Sequence, residues 1–161
     1  NTQLDEVKFD LKKTITFGPN IKSAHFRTII SGWGHATPAD SDGRACAEWC
    51  FRTHKIKINN VNKFSHYMGP IGCGSNPISN QAGNWVPDRA GWCPGMVVPV
   101  RIDKFDSDVS NSTLNFEYYF QPWTNNFVGT PGYNNKNAYN AISSFIVLKS
   151  DQQIEPASIS N

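Results

Sequence analysis

Apolar and polar positions alternate with a period of two in short runs along this chain, the pattern of strands that bury one face. The cleanest run is Lys55-Ile56-Lys57-Ile58, which stops at the turn formers Asn59-Asn60. Val7-Lys8-Phe9-Asp10-Leu11 and Ile15-Thr16-Phe17 come earlier, separated by a Lys-Lys pair and closed by Gly18-Pro19-Asn20. His25 to Ile30, Val61 to Tyr67, Met96 to Ile102, Leu114 to Phe120 and Ile142 to Leu148 complete eight expected strands. No intervening stretch sustains a helical period. The pattern therefore predicts an all-β, eight-stranded antiparallel sandwich, most simply a jelly roll with long functional loops. The tail after Ser150 reads as a solvated terminus.

Composition agrees with that reading. At 161 residues the chain has the length of one domain, residues 1–161. Leu occurs four times against 22 Ile and Val together, and Asn, Ser and Thr fill 40 positions, so strand and turn formers outweigh helix formers. The net charge is only +2, with basic and acidic residues spread along the chain, which argues against nucleic acid as a partner. The longest apolar runs, such as Phe145 to Leu148, are strand-length and far short of the ~20 residues of a membrane-crossing helix, so no membrane partner is expected. Asn1 to Glu6 lacks the basic and apolar regions of a signal peptide, as in a cytosolic, processed or excised chain.

The four cysteines bear on compartment. Cys46 and Cys50 can meet across a turn, Cys73 and Cys93 bracket a Gly/Pro/Asn-rich stretch that can close as a loop, and three connectivities remain open on paper. The spacings C-x3-C and C-x19-C match the short knuckles of a zinc site poorly, which favours disulfides and an oxidising compartment.

Three irregular stretches are too long for simple turns: Gly32 to Phe51, Gly69 to Gly95 and Pro122 to Asn140. The first two hold all four cysteines and four of the five tryptophans. Glu48, one of only four glutamates, sits inside Cys46-Ala47-Glu48-Trp49-Cys50. A carboxylate pinned on a short loop beside an aromatic suits acid/base or substrate-polarising work; the structural alternative is local hydrogen bonding or a pair with Arg52. In Trp85 to Gly95, two tryptophans with Asp88 and Arg89 suit a sugar site, where rings cover the apolar face of a pyranose and charged groups meet its hydroxyls. Core tryptophans and an Asp88–Arg89 pair are the structural alternative. Gly32-Trp33-Gly34-His35 places a further ring and a histidine directly after a strand. The chain has no phosphate-cradling glycine loop, no G-x-S-x-G and no H-E-x-x-H, and its four histidines form no metal-binding spacing, so neither metal nor cofactor is expected.

Ser31-Gly32-Trp33-Gly34-His35-Ala36, Cys46 to His54, Asp88 to Met96 and Ala141 to Phe145 together resemble the carboxy-terminal half of the bacterial peptide-N-glycosidase F family, over about Phe26 to Lys149. The resemblance implies a secreted or periplasmic amidase of two jelly-roll domains with the active site in the cleft between them, this chain being the second domain and the first absent from it. It implies metal-independent hydrolysis of the amide joining N-acetylglucosamine to asparagine, on N-linked glycans with a chitobiose core carried by glycoproteins or glycopeptides. The catalytic aspartate lies in the family's amino-terminal jelly-roll domain, beside a Trp and an Arg, and no stretch here matches that motif. Residue by residue, the resemblance makes Glu48 and Arg89 catalytic, puts Trp33, His35 and Trp92 on the substrate side of the cleft, and pairs Cys46 with Cys50 and Cys73 with Cys93. The loop Asn125 to Asn140 is longer here than in the family pattern. A non-catalytic glycan-binding jelly-roll module is the competing expectation.

Overall fold

The computed structural model describes residues 2–4, 12–36, 39–75, 88–123 and 138–161. In chain order the strands are β1 (Thr2–Leu4), β2 (Lys12–Thr16), β3 (Ser23–Trp33), β4 (Arg52–Ile58), β5 (Val61–Met68) and β6 (Pro70–Ile71). After a short 3-10 turn at Cys73–Ser75 follow β7 (Arg89–Ala90), β8 (Val100–Lys104), β9 (Thr113–Phe120), β10 (Tyr139–Lys149) and β11 (Ser158–Ser160). They form an all-β jelly-roll sandwich: a four-stranded sheet in the order β1-β10-β3-β8, a five-stranded sheet in the order β11-β2-β9-β4-β5, and a ribbon of β6 and β7 at one end. Every pairing is antiparallel.

The alternation read from sequence sets which face is inside. On β3, Ala24, Phe26, Thr28 and Ile30 are buried while His25, Arg27 and Ile29 face outward. Because side chains alternate across a strand, residues opposite one another share a face, and β10 answers with Leu148, Ile146, Ser144 and Ile142 on the inner side. Phe26 anchors the core, meeting Phe105 at 5.3 Å and Phe116 at 5.1 Å edge-on, the arrangement that ring quadrupoles favour. The β4–β5 hairpin turns on Asn59 and Asn60, both at positive φ, as a two-residue loop between right-twisted strands requires.

Where the boundaries differ from expectation, pairing explains the difference. β2 begins at Lys12, so the Lys-Lys pair read as a break lies inside the strand, at its partly exposed edge opposite Glu117 and Phe116. β8 begins only at Val100, because it follows Pro99, which has no N–H to give a ladder, and because its partners are limited to His25–Ile29 of β3. The tail is not wholly solvated: Ser158–Ser160 adds an edge strand to β2 through Ser158–Thr16, Ile159–Ile15 and Ser160–Thr14, and Ala157 packs on the core. Three residues with exposed side chains carry no alternation to read; backbone hydrogen bonds make that strand. The expected strand Val7–Leu11 lies outside the described residues.

The site-bearing end is where β3 finishes, β10 starts and β4 starts. Gly32 stands opposite Asn140 there, and a Cβ on Gly32 would sit 2.0 Å from the Ala47 carbonyl oxygen. Only glycine lets the loop that carries Glu48 lie this close to the strand end.

Candidate active site

The loop holding Glu48 is fixed from several directions. Cys46 and Cys50 are joined by a disulfide, and a second joins Cys73 to Cys93. Glu48 N–H donates to Gly34 O at 3.1 Å and its carbonyl accepts from Ala90 N–H at 2.9 Å, so the loop is stitched between the end of β3 and the start of the β7 segment. Ala36 N–H donates to Cys46 O, and His35 bridges Ala47. Behind the loop, Arg52 Nη2 donates to Asp40 Oδ2 at 2.7 Å with both side chains largely buried. Burial alone raises the pKa of the Asp40 carboxyl, but hydrogen bonds from the Arg44 and Asp42 N–H groups and from Arg52 outweigh it and hold it below the usual value. Arg52 is thereby committed to Asp40, not to Glu48. Asp40 Oδ and the Cys46 and Cys50 sulfurs lie within 4.8 Å of one another, but the two sulfurs share a disulfide and present no thiolates.

With the loop so placed, the residues singled out in the sequence converge. Arg89 Nε donates to Glu48 Oε1 at 2.6 Å, and His35 Nε2 lies 3.1 Å from Glu48 Oε2, so each carboxylate oxygen has one partner. Arg89 is buried, and its guanidinium stands over Trp49 at 4.7 Å and Trp92 at 5.3 Å from the ring centroids. Trp33 stacks on Trp92 at 4.2 Å with 27° between planes. Trp92 is buried and donates Nε1–H to Gly32 O at 2.6 Å, whereas Trp33 is 38% exposed. His35 has a half-exposed side chain. The surface of the site is therefore Trp33 and His35, with Glu48 just beneath them and Arg89 and Trp92 as the floor. Trp92, expected on the substrate side, lies under Trp33 here. Asp88 is exposed, and the basic residue beside it pairs with Glu48 instead.

Two contributors were not singled out from sequence. Trp49, noted only as a neighbour of Glu48, carries the Arg89 guanidinium and lies 5.4 Å from the His35 ring. Asp40 anchors the loop from behind; its signal was the turn-forming run Asp40-Ser41-Asp42-Gly43, whose side-chain oxygen accepts from Asp42 N–H and Arg44 N–H. Trp85 and the loop from Asn125 fall outside the described residues, apart from its end at Ala138 to Asn140.

Chemically, the arrangement offers an acceptor carboxylate held in fixed orientation, a guanidinium shielded by indole faces, and an accessible aromatic ring. Such groups suit a sugar, whose apolar face a ring can cover and whose hydroxyls charged groups can meet. Fold and site together define a jelly-roll domain with a carboxylate–guanidinium pair roofed by tryptophan at one end of the sandwich. The chain belongs to the family described as Peptide-N-glycosidase F, C terminal, which matches residues 2–147. It is 55% identical over 152 residues to the peptide-N(4)-(N-acetyl-β-D-glucosaminyl)asparagine amidase F of Elizabethkingia miricola, covering 94% of this chain and 41% of that protein. The solved structure of PNGase F, described as a glycosylasparaginase from Flavobacterium meningosepticum, superposes with a TM-score of 0.84 at 52% identity, covering 98% of this chain and 49% of that one. PNGF-II, at 15% identity and a TM-score of 0.59, shares the fold. The chain thus spans less than half the length of the amidase F and PNGase F chains that it matches.

Proposed function

We propose that this chain forms one wall of a glycoasparagine amidase that hydrolyses the bond between N-acetylglucosamine and the asparagine side chain, releasing N-linked glycans from glycoproteins and glycopeptides. An amino-terminal jelly-roll domain supplies the opposing wall and the catalytic aspartate. The observation that carries this reading is the convergence of Glu48 and Arg89 beneath the exposed side chains of Trp33 and His35.

In this reading Trp33 covers the apolar face of the proximal sugar. His35 and the accessible edge of Glu48 accept and donate to hydroxyl and acetamido groups, and Arg89 fixes the Glu48 carboxylate so that it meets the substrate in one geometry. The aspartate of the other domain directs water at the amide carbon. The carbon–nitrogen bond breaks, leaving an aspartyl side chain and a glycosylamine. One wall binds sugar, but water cannot be positioned against the amide without the opposing carboxylate. Two disulfides support a location outside the cytoplasm, secreted or periplasmic.

The test mixes this chain with the amino-terminal domain of a relative and assays glycan release from a chitobiose-core glycopeptide. Release by the mixture and not by either part supports the reading. Release by this chain alone overturns the division of labour. The exposure of Trp33 and His35 also favours a second reading, a glycan-binding module without catalysis. That reading gains if the chain binds chitobiose but never completes an amidase.

A further inference from the structure

Outside the Glu48 site, the seam between the two sheets holds a guanidinium with one nitrogen unpartnered among the described residues. β8 and β5 are the edge strands of their sheets, and between them lie Arg101 and Asp103 from β8 with His66 from β5, His54 from β4 and Tyr118 from β9. Asp103, the acid nearest in register, is occupied: its Oδ2 lies 2.7 Å from His66 Nε2. His54 Nδ1 is likewise engaged, with Tyr118 OH at 2.7 Å. Arg101 is the remainder, and its Nη1 is buried with no hydrogen-bond partner among the described residues. A guanidinium stays protonated, and a buried donor without an acceptor costs about 1–3 kcal/mol, so the described residues leave part of this group's hydrogen-bonding capacity unused.

The guanidinium also borders a cavity, on the side of its Nη2. Arg101 lines a cavity of ≈ 350 Å³ whose other walls are Tyr67, Gly69, Pro70, Ile71 and Gly91. The walls follow from the two glycines. A Cβ on Gly69 would lie 2.7 Å from Tyr67 Cε1, so glycine there lets the 62%-exposed tyrosine ring lie down against the backbone. Gly91, at φ +76°, takes a conformation that side chains resist, and its N–H donates to Gly69 O to close the floor. A Cβ on Gly91 would stand 3.8 Å from Arg101 Nη2, so the guanidinium borders this floor. Gly91 follows Arg89 by two residues, which places the cavity within ~7 Å of backbone from the Glu48–Arg89 pair.

We propose that Arg101, Tyr67 and the floor at Gly69 and Gly91 form an accessory subsite that binds a carboxylate, with the Tyr67 ring covering the body that carries it. The group is either an acidic residue of a peptide or an acidic sugar of the sialic type; both present a planar carboxylate on a small polar body. Arg suits this task because its fork of donors matches carboxylate geometry. Burial pulls the guanidinium pKa down and the Asp103 carboxylate offsets part of that, so a further anion is electrostatically welcome there. The subsite extends recognition beyond the sugar–asparagine linkage, and its test needs no catalysis, so it stands or falls separately from the amidase reading.

The test is heteronuclear NMR of the isotope-labelled chain, following the Gly69 and Gly91 amides and the Arg101 Nε–H, titrated with N-acetyl-aspartate amide and with N-acetylneuraminic acid. N-acetyl-asparagine amide and N-acetylglucosamine are the neutral controls. Saturable shifts at these three groups with at least one acid, at least ~10-fold weaker with the neutral controls, support the subsite, and the acid that saturates first identifies the source. Arg101→Gln should abolish the acid preference. Should that variant not fold, Tyr67→Ala keeps the guanidinium and removes the covering ring, and several-fold weaker binding is expected. Equal shifts with acid and neutral probes, shifts confined to surface lysines, no shifts at all, or full affinity in either folded variant overturns it.

Discussion

Arg89 Nε reaches Glu48 Oε1 at 2.6 Å across 41 residues of sequence, with the arginine side chain 5% and the glutamate side chain 14% exposed. Two opposite charges this sheltered depend on one another. Removing one leaves the other desolvated and uncompensated, which costs far more than the pair itself contributes. Arg89→Met is therefore expected to lower unfolding free energy by about 3–5 kcal/mol, and Arg89→Met/Glu48→Gln by less than the sum of the single changes. Urea denaturation of the four proteins completes the cycle. Additive losses would mean that the contact carries no coupling.

Glu48→Gln alone keeps an acceptor for Arg89 and the shape of the side chain while discarding the charge. In the proposed two-domain amidase it is expected to lower turnover by at least ~100-fold, the range of a lost acid/base or polarising group. The fall should be in kcat more than in KM. Normal turnover would return Glu48 to a purely structural part.

Trp33 and Trp92 form one stack, yet they should respond in opposite ways. Trp92 is buried, with its indole N–H on Gly32 O, so Trp92→Ala is expected to cost about 3–5 kcal/mol of stability. Trp33 is the exposed ring, so Trp33→Ala should lose only about 1 kcal/mol of stacking while weakening chitobiose binding several-fold. Thermal denaturation and a glycan titration on the same two variants separate these roles; equal stability losses would contradict the layering.

Gly32→Ala tests the closest approach in the site. Its Cβ would fall 2.0 Å from a backbone oxygen, which cannot rotate away, so either the strand end or the Glu48 loop must move. A loss of about 3 kcal/mol or more is expected, larger than the usual cost of one inserted methyl, together with loss of glycan binding. A variant as stable as the parent would show that the loop yields cheaply.

The sequence displays the strands wherever a buried face imposes alternation, as on β3 and β4, because hydrophobicity with a period of two is the direct imprint of a half-buried sheet. It is silent where backbone pairing alone makes the strand, as in Ser158–Ser160 and the β6–β7 ribbon. The site followed a similar rule. Glu48 and Arg89 stood out because rare residue types were crowded beside cysteines, and Trp33 and His35 because they follow directly on a strand. What could not be read was depth. Nothing local distinguishes a tryptophan that floors a site from one on its surface, and the depth of Trp92 follows from its stack on Trp33 and its bond to Gly32 O. Asp40 was equally hidden, because its partner Arg52 competes in sequence with a nearer carboxylate, Glu48, and tertiary geometry decides between them.

His54 gives the pH dependence a sign. It is fully buried on β4, its Nδ1 engaged with Tyr118 OH and its Nε2 without a partner among the described residues. Burial first, then the charges of Arg101 and His66, push its pKa from 6.5 down to about 3. The unfolded chain, with the ordinary value, therefore binds one more proton than the folded chain between those limits. Unfolding free energy must rise with pH across this window and fall as pH drops below 6.5, by up to ~1.4 kcal/mol per unit for this one residue. At about pH 5 the cumulative loss is about 2 kcal/mol, and above the ordinary histidine pKa it vanishes. His54→Gln removes the titrating ring while keeping a polar group for Tyr118, so the variant is expected to start less stable at neutral pH and to lose less on acidification. Urea denaturation of both proteins across this range measures the difference in slope. Parallel slopes would mean that His54 takes up its proton in the folded state, and that the buried seam beside Arg101 tolerates a second positive charge.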